Sequence, residues 1–204
     1  MNISPLRQAL TQHLGCVLTP EVACAIEVEA ARLPVVSFDT GQFGALHRDG
    51  YTIQAERMSG IIQELHALHE AHWLETEKYR HGLDLNPDYV RYLATEASGG
   101  LVQFTIRKDG QLVGNMRMFL ARSLHTQTPV ATEDTIFISR DHRGGFLVMA
   151  LLRFAESALL SIGVREIRSN SKLANRADVL LRRMGYEPFA IQMVKFYEEQ
   201  NHVC

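Results

Sequence analysis

The sequence predicts an α/β or α+β domain on a mixed sheet, preceded by a helical N-terminal extension. From Tyr51 onward, segments of strand-type alternation interleave with helix-type periodicity in the order β-α-α-β-β-β-α-β-α-β. Within that series, residues 133–156 join a β-branched, aromatic strand to an amphipathic helix through a short basic turn containing two glycines.

Taken in order, Thr19 as N-cap and Pro20 at the first helical position start a helix that runs to Ala31 and stops before Pro34. Residues 34–50, with Gly41, Gly44 and Gly50, read as connection, so residues 1–50 form an extension and residues 51–204 the main domain. Tyr51 to Arg57 suits a first strand. Ser59 is placed to cap a long helix through Ile62, Leu65, Leu68, His69, His72, Trp73 and Thr76. Asn86-Pro87-Asp88 starts a second helix through Val90, Leu93 and Ala97, closed by Gly99-Gly100. Val102, Phe104 and Ile106 then alternate with polar residues, and Asp109-Gly110 turns the chain into a partner strand carrying Leu112, Gly114, Met116, Met118 and Leu120 on one face. A loop from Arg122 to Val130 leads to a strand at residues 133–139.

Composition narrows the function classes. With 204 residues, 46% hydrophobic and 22% charged, the chain is ordinary globular protein. Its 21 basic and 23 acidic side chains leave a formal charge of −2, which gives no electrostatic reason to expect nucleic acid or an anionic membrane as a partner. No run approaches the ~20 apolar residues of a membrane span. The N-terminus lacks the basic start and apolar run of a signal peptide. Cys16, Cys24 and Cys204 have no metal-ligand spacing and read as free thiols, so a cytoplasmic location is expected. His66, His69 and His72 recur every third residue, but a row from i to i+6 drifts by ~120° around a helix. No i, i+4 histidine pair is present, and no metal is expected.

The turn Arg140-Asp141-His142-Arg143-Gly144-Gly145 is where chemistry concentrates. The first turn of the following helix carries unpaired N–H groups and partial positive charge. Gly144 and Gly145 let a ligand approach the backbone, Arg143 adds a cation suited to phosphate oxygens, and amides of residues 144–148, including Phe146, Leu147 and Val148, are available to an anion.

This segment resembles the cofactor motif of the GCN5-related N-acetyltransferase (GNAT) superfamily, in which strand, arginine-rich glycine turn and helix hold the pyrophosphate of acetyl-CoA. Met184-Gly185-Tyr186 is similar to the family's usual Leu-Gly-Phe ending, and the likeness spans roughly residues 51–197 in order and spacing. It implies a mostly antiparallel central sheet flanked by helices, an acetyl-CoA co-substrate, transfer of the acetyl group to an amine acceptor, and, by family analogy, a homodimer. It further implies that the amides of Phe137, Ile138 and Ser139 hold the pantetheine arm and acyl carbonyl, and that Asn175 lies near that arm. Asn175 reads equally as a helix N-terminal residue satisfying backbone groups.

For the base, the resemblance points to Glu133 or Asp134. Strict alternation would put Glu133 with Thr135 and Phe137, and Asp134 with Ile136 and Ile138. His125, in Ser123-Leu124-His125, is a third candidate, since imidazole titrates near neutrality; the tripeptide is similar to a phage- and prophage-associated branch of these enzymes. His72, Trp73 and Glu75 are expected to shape the acceptor site. Two departures keep a second reading open, a non-catalytic GNAT-fold binding or regulatory module with a degenerate pocket. Phe146 and Val148 stand where the family usually has glycines, and Leu181 stands where many members have a proton-donating tyrosine.

Overall fold

The computed structural model describes residues 5–32, 36–144, 146–172 and 177–195. Gly145, expected at the anion site, and Asn175, expected near the pantetheine arm, lie outside them. The chain divides into two compact units, the first ending at Asn170 and the second beginning at Ser171.

The segment expected to form an extension carries two helices, α1 (Pro5–Gln12) and α2 (Pro20–Arg32), and belongs to the first compact unit. As the Thr-Pro signal implies, the Thr19 hydroxyl accepts from Val22 N at 3.3 Å. The sheet begins earlier than expected. Strand β1 (Ala45–Arg48) pairs with β2 (Tyr51–Ala55) inside the stretch expected to be connection. The turn between them, Asp49-Gly50, has φ of 53° and 76°, the positive values a tight hairpin needs. Asp109-Gly110, at 49° and 87°, makes the same turn between β3 (Leu101–Lys108) and β4 (Gln111–Arg122).

Helix α3 (Met58–Thr76) starts one residue before its expected cap, and Ser59 caps nothing. The buried carboxylate of Glu96 does so instead, accepting from Met58 N at 2.5 Å and Ser59 N at 3.2 Å. Its anion satisfies two of the four orphan donors from 38 residues away. Glu96 belongs to α5 (Tyr89–Ala97), whose own cap is Asp88, accepting from Arg91 N at 3.0 Å. Between them lies the single turn α4 (Lys78–His81).

Strand β5 (Pro129–Ile138) begins four residues before the expected strand; α6 (Leu147–Ser161), β6 (Glu166–Arg168) and, in the second unit, α7 (Ala177–Arg183) follow. Residues 186–195, where a last strand was expected, carry no regular element. The sheet order is β1-β2-β3-β4-β5-β6. The first five strands are antiparallel and β6 runs parallel to β5, which requires a crossover, supplied by α6.

Paired residues share a face, so register assigns the layers. Phe104, Met116 and Ile136 line one face. There α6 buries Leu147, Leu151, Leu152, Ala155, Ala158 and Leu159, and its Phe154 meets Phe104 edge-on at 6.1 Å. Gln103, Arg117 and Thr135 line the other face, covered by α3 and α5. That second face is polar for a buried one: Gln103, Thr105 and Asn115 are fully covered. Among the described residues no helix is long and apolar enough to cross a membrane.

Candidate functional site

The site begins where the sheet parts. β6 pairs with β5 only across Val130–Thr132, against Glu166–Arg168. From Glu133 to Ile138, β5 remains paired with β4 on one side, while its other edge has no strand partner among the described residues. An unpaired edge presents a row of N–H and C=O groups able to bind an extended ligand. Which amides point there follows from one bond. Ser139 N donates to Val113 O of β4 at 2.9 Å, and N–H direction alternates along a strand. The amides of Ile136 and Ile138 therefore face the open edge, whereas those of Phe137 and Ser139 face β4. Of the three amides expected to hold the pantetheine arm, Ile138 alone is presented, and Ile136 joins it.

A bulge resets the two acidic candidates. Arg117 pairs with Thr135 and Met118 with Glu133, so Asp134 is an extra residue without a counterpart. The bulge breaks period-two alternation and exchanges the expected faces. Asp134 turns to the α3 side with Thr135 and Phe137, where Arg117 Nε and Nη2 each reach its Oδ2 at 2.7 Å and Tyr92 Oη donates to the same atom at 3.4 Å. Glu133 takes the Met118 side, at the fork of the splay. It is 7% exposed, and its Oε2 accepts from the Ser169 hydroxyl and from Asn170 N at 3.2 Å. Asn170 Nδ2 donates to Glu133 O at 3.1 Å. Burial pushes the Glu133 carboxyl above the ordinary glutamate range, although the two donors oppose it.

The basic turn folds as a short 3-10 helix, Arg140–His142, ahead of α6. His142 N donates to Ser139 O at 2.9 Å and Arg143 N to Arg140 O at 3.1 Å. Gly144 has φ of 136°, and a Cβ there would meet nothing within 4 Å, so space beside it is open. Phe146 is the N-cap residue of α6, and the Arg48 guanidinium lies 4.1 Å from the centre of its ring. Leu147 and Val148 contribute N–H groups of the first helical turn, which have no partner within the helix. His142 Nδ1 is 3.1 Å from Tyr51 Oη, tying the turn to β2.

Arg143 is engaged in a way its motif does not announce. Its Nη1 and Nη2 donate to both oxygens of Glu75 on α3, at 2.6 and 2.8 Å, while Nε donates to Ile138 O at 2.7 Å. The guanidinium lies 5.1 Å from the centre of the Phe137 ring, and Arg140 Nε reaches Glu75 at 3.3 Å. These arginine contacts hold Glu75 below the usual carboxylate pKa. A cleft of about 350 Å³ opens beside the pair, lined by Ala71, Leu74, Glu75, Phe137, Ser139 and Arg140. Glu75, expected in the acceptor site, thus sits on the cation expected to hold phosphate.

Other candidates are more dispersed. His72 Nδ1 is 3.0 Å from Thr135 Oγ1, and its ring packs on Phe137 at 5.1 Å, placing it beside β5. Trp73 donates to Leu83 O at 2.9 Å and braces the α3–α5 connection. His125 is exposed in a turn where Ser123 Oγ accepts from its amide at 3.3 Å. His66 and His69 both bond Tyr89 Oη, and among the described residues no group of three or more His, Cys, Asp or Glu is placed to hold a metal. In the second unit, Leu181 is buried on α7. Ser169, Asn170 and Arg117 escaped the sequence reading. Arg117 did leave a signal, as a charge between Met116 and Met118 in an otherwise buried strand.

No protein-family model and no curated protein sequence matches the chain. Solved structures do. An aminoglycoside acetyltransferase from an uncultured soil metagenomic sample superposes with a TM-score of 0.58 at 13% identity, covering 75% of this chain and 98% of that one. A ribosomal-protein-alanine N-acetyltransferase from Brucella melitensis biovar Abortus 2308 gives 0.56 at 15%, over 72% and 99%. AAC(6')-Iy in complex with a bisubstrate analogue of coenzyme A gives 0.53 at 18%, over 74% and 98%. The fold is therefore the GNAT type, a mixed sheet flanked by helices.

Proposed function

We propose that the protein is an acetyl-CoA-dependent N-acetyltransferase that moves an acetyl group to a primary amine of a small molecule or protein by direct attack on the thioester. One observation carries the reading: the unpaired edge of β5 runs directly into the arginine-glycine turn and the first turn of α6. An extended arm ending in a diphosphate fits that sequence of groups, with Ile136 and Ile138 amides along the arm and Arg143, Gly144, Phe146, Leu147 and Val148 at the phosphates. The solved acetyltransferases of the same fold support it. Gly145 and Asn175 belong to the same proposal from the sequence.

The thioester supplies the activated acyl carbon. The chain's own part is to aim main-chain N–H groups at the oxygen where negative charge develops and to remove a proton from the attacking ammonium. Glu133 is the proposed base. Its burial raises its pKa above the ordinary glutamate value, and its two donors fix its orientation. Asp134, tied down by Arg117, supports the bulge rather than the proton transfer. His72 and Thr135 border the acceptor approach. No proton donor for the departing thiolate is assigned, because a CoA thiolate leaves tolerably near neutral pH. The reading carries with it a cytoplasmic homodimer; the phage-associated branch rests on Ser123-Leu124-His125 alone.

A second reading, a binding or regulatory module, is favoured by one observation: Arg143 is already paired with Glu75. The test is release of free CoA thiol across a panel of amines. Amine-dependent release that falls in Glu133→Gln supports the enzyme. Coenzyme A binding with no release from any amine supports the module.

A further inference from the structure

The side chain that fixes the bulge comes from the neighbouring strand. Arg117 is 5% exposed at its side chain, with two nitrogens on Asp134 Oδ2. Its Nη1 lies 3.3 Å from His69 Nε2, and its guanidinium is 3.9 Å from the centre of the Tyr92 ring. Arginine can only donate, so His69 Nε2 accepts and the ring proton sits on Nδ1. That Nδ1–H donates to Tyr89 Oη at 3.1 Å, and Tyr89 O–H donates to His66 Nδ1 at 3.0 Å. His66 Nε2–H is left for Glu70 Oε1 at 3.4 Å. Every bond in this row has a determined direction, from Arg117 out to the surface of α3. Burial, with the charge of Arg117, lowers the His69 pKa to about 3 and keeps the ring neutral, as the row requires. A guanidinium does not deprotonate, so the row passes no proton to Asp134. What it transmits is position.

The position matters because the bulge lies immediately beyond the last β5–β6 pair, where the splay opens. Asp134 is exposed as a residue while its side chain is only 25% exposed, so its main chain meets solvent too. A slip of one residue would put Asp134 opposite Met118 and withdraw Glu133 from Ser169 and Asn170. We propose that Arg117 is a positioning residue for acyl transfer: by pinning Asp134 it holds the bulge that sets Glu133 and the β5 main chain at the mouth of the splay. This rests on the acetyltransferase reading above.

The test compares Arg117→Met and Asp134→Asn with Arg107→Met, which removes another largely covered, ion-paired arginine, bound to Glu56 at 2.9 Å and Glu64 at 2.8 Å, away from the splay. Steady-state kinetics are read beside hydrogen exchange of the peptide spanning residues 131–138. In Arg117→Met, kcat should fall about 10- to 100-fold, with the acetyl-CoA KM within about threefold. Asp134→Asn should lose nearly as much, the double variant no more than either single, and exchange over 131–138 should quicken in both. Arg107→Met should keep kcat and that exchange rate. Unchanged kcat in Arg117→Met, an equal fall in Arg107→Met, or additive losses in the double variant would overturn the proposal. If Arg117→Met does not fold, Asp134→Asn carries the comparison. If the wild type turns over no amine, the acetyltransferase reading fails by itself. Exchange then decides whether Arg117 holds the bulge: quickened in Arg117→Met but not in Arg107→Met, it does; equal to wild type, or quickened as much in Arg107→Met, it does not.

Discussion

Replacing Glu75 with glutamine should tighten coenzyme A binding. The Arg143 fork reaches both Glu75 oxygens, at 2.6 and 2.8 Å, and the same fork is the one a pyrophosphate would use. Binding must therefore break the Glu75 pair before it gains the phosphate contacts. The Arg143 side chain is 38% exposed and Glu75 25%, so solvent screens the pair well below the value of a buried bidentate bridge. Roughly 0.5–1.5 kcal/mol remains, and Glu75→Gln should return it as a decrease of about 2- to 10-fold in Kd. Calorimetric titration with coenzyme A measures this directly, and Arg143→Ala supplies the control. In that background the Glu75 substitution should have no effect, because the competition no longer exists. An unchanged or weakened Kd in Glu75→Gln would refute the reasoning and return Glu75 to the acceptor side, where the sequence first put it.

Glu133→Gln should abolish most turnover and remove the acid limb of the kcat/KM profile, which in wild type should lie above the ordinary glutamate pKa; a limb persisting in the variant would assign it to another group. The raised pKa also means that the folded state binds more protons than the unfolded one between the two values. The Glu133 contribution to stability is therefore present at low pH and lost as pH rises through that window, so Glu133→Gln should melt no lower than wild type at neutral pH. His69 has the opposite sign. Lowered to about 3, it binds fewer protons when folded than when unfolded, and stability should fall by roughly 3–5 kcal/mol as pH drops from about 6.5 to 3. Denaturant titrations of His69→Gln should show much of that slope gone. Asn115 has both side-chain amide atoms buried without a hydrogen-bond partner, an arrangement that costs about 1–3 kcal/mol per group. Asn115→Leu should raise Tm, and a fall would mean that the amide is satisfied in solution.

Local rules made much of the fold legible. Helix α2 starts at its Thr-Pro signal and α5 at its Asp88 cap, and β3 and β4 turn at Asp109-Gly110. Leu112 departs from the expected face: an extra residue at Val113 puts it opposite Arg107, where it packs on Met58, Ile61 and Leu65 of α3 instead of lining up with Gly114 and Met116. The turn before α6 was legible because its chemistry is contiguous in sequence. Strand β1 could have been read from Asp49-Gly50, but its burial pattern is exposed throughout and offers no apolar alternation. The rest depends on distant partners. Glu96 caps a helix 38 residues away, and the bulge at Asp134 is a property of register between two strands, which neither strand displays alone. Arg143 reads as free for phosphate until α3 brings Glu75 onto it. Within the site, residue types at the loop were visible beforehand, whereas which amides face outward and which carboxylate lies at the fork were set by tertiary pairing.

Amide-resolved NMR during titration with coenzyme A tests the central claim most directly. Saturable shifts at Ile136, Ile138, Gly144 and the Phe146–Val148 turn, with smaller changes at Phe137 and Ser139, are the predicted result. No shift at millimolar ligand, or shifts confined to residues away from the splay, would contradict it.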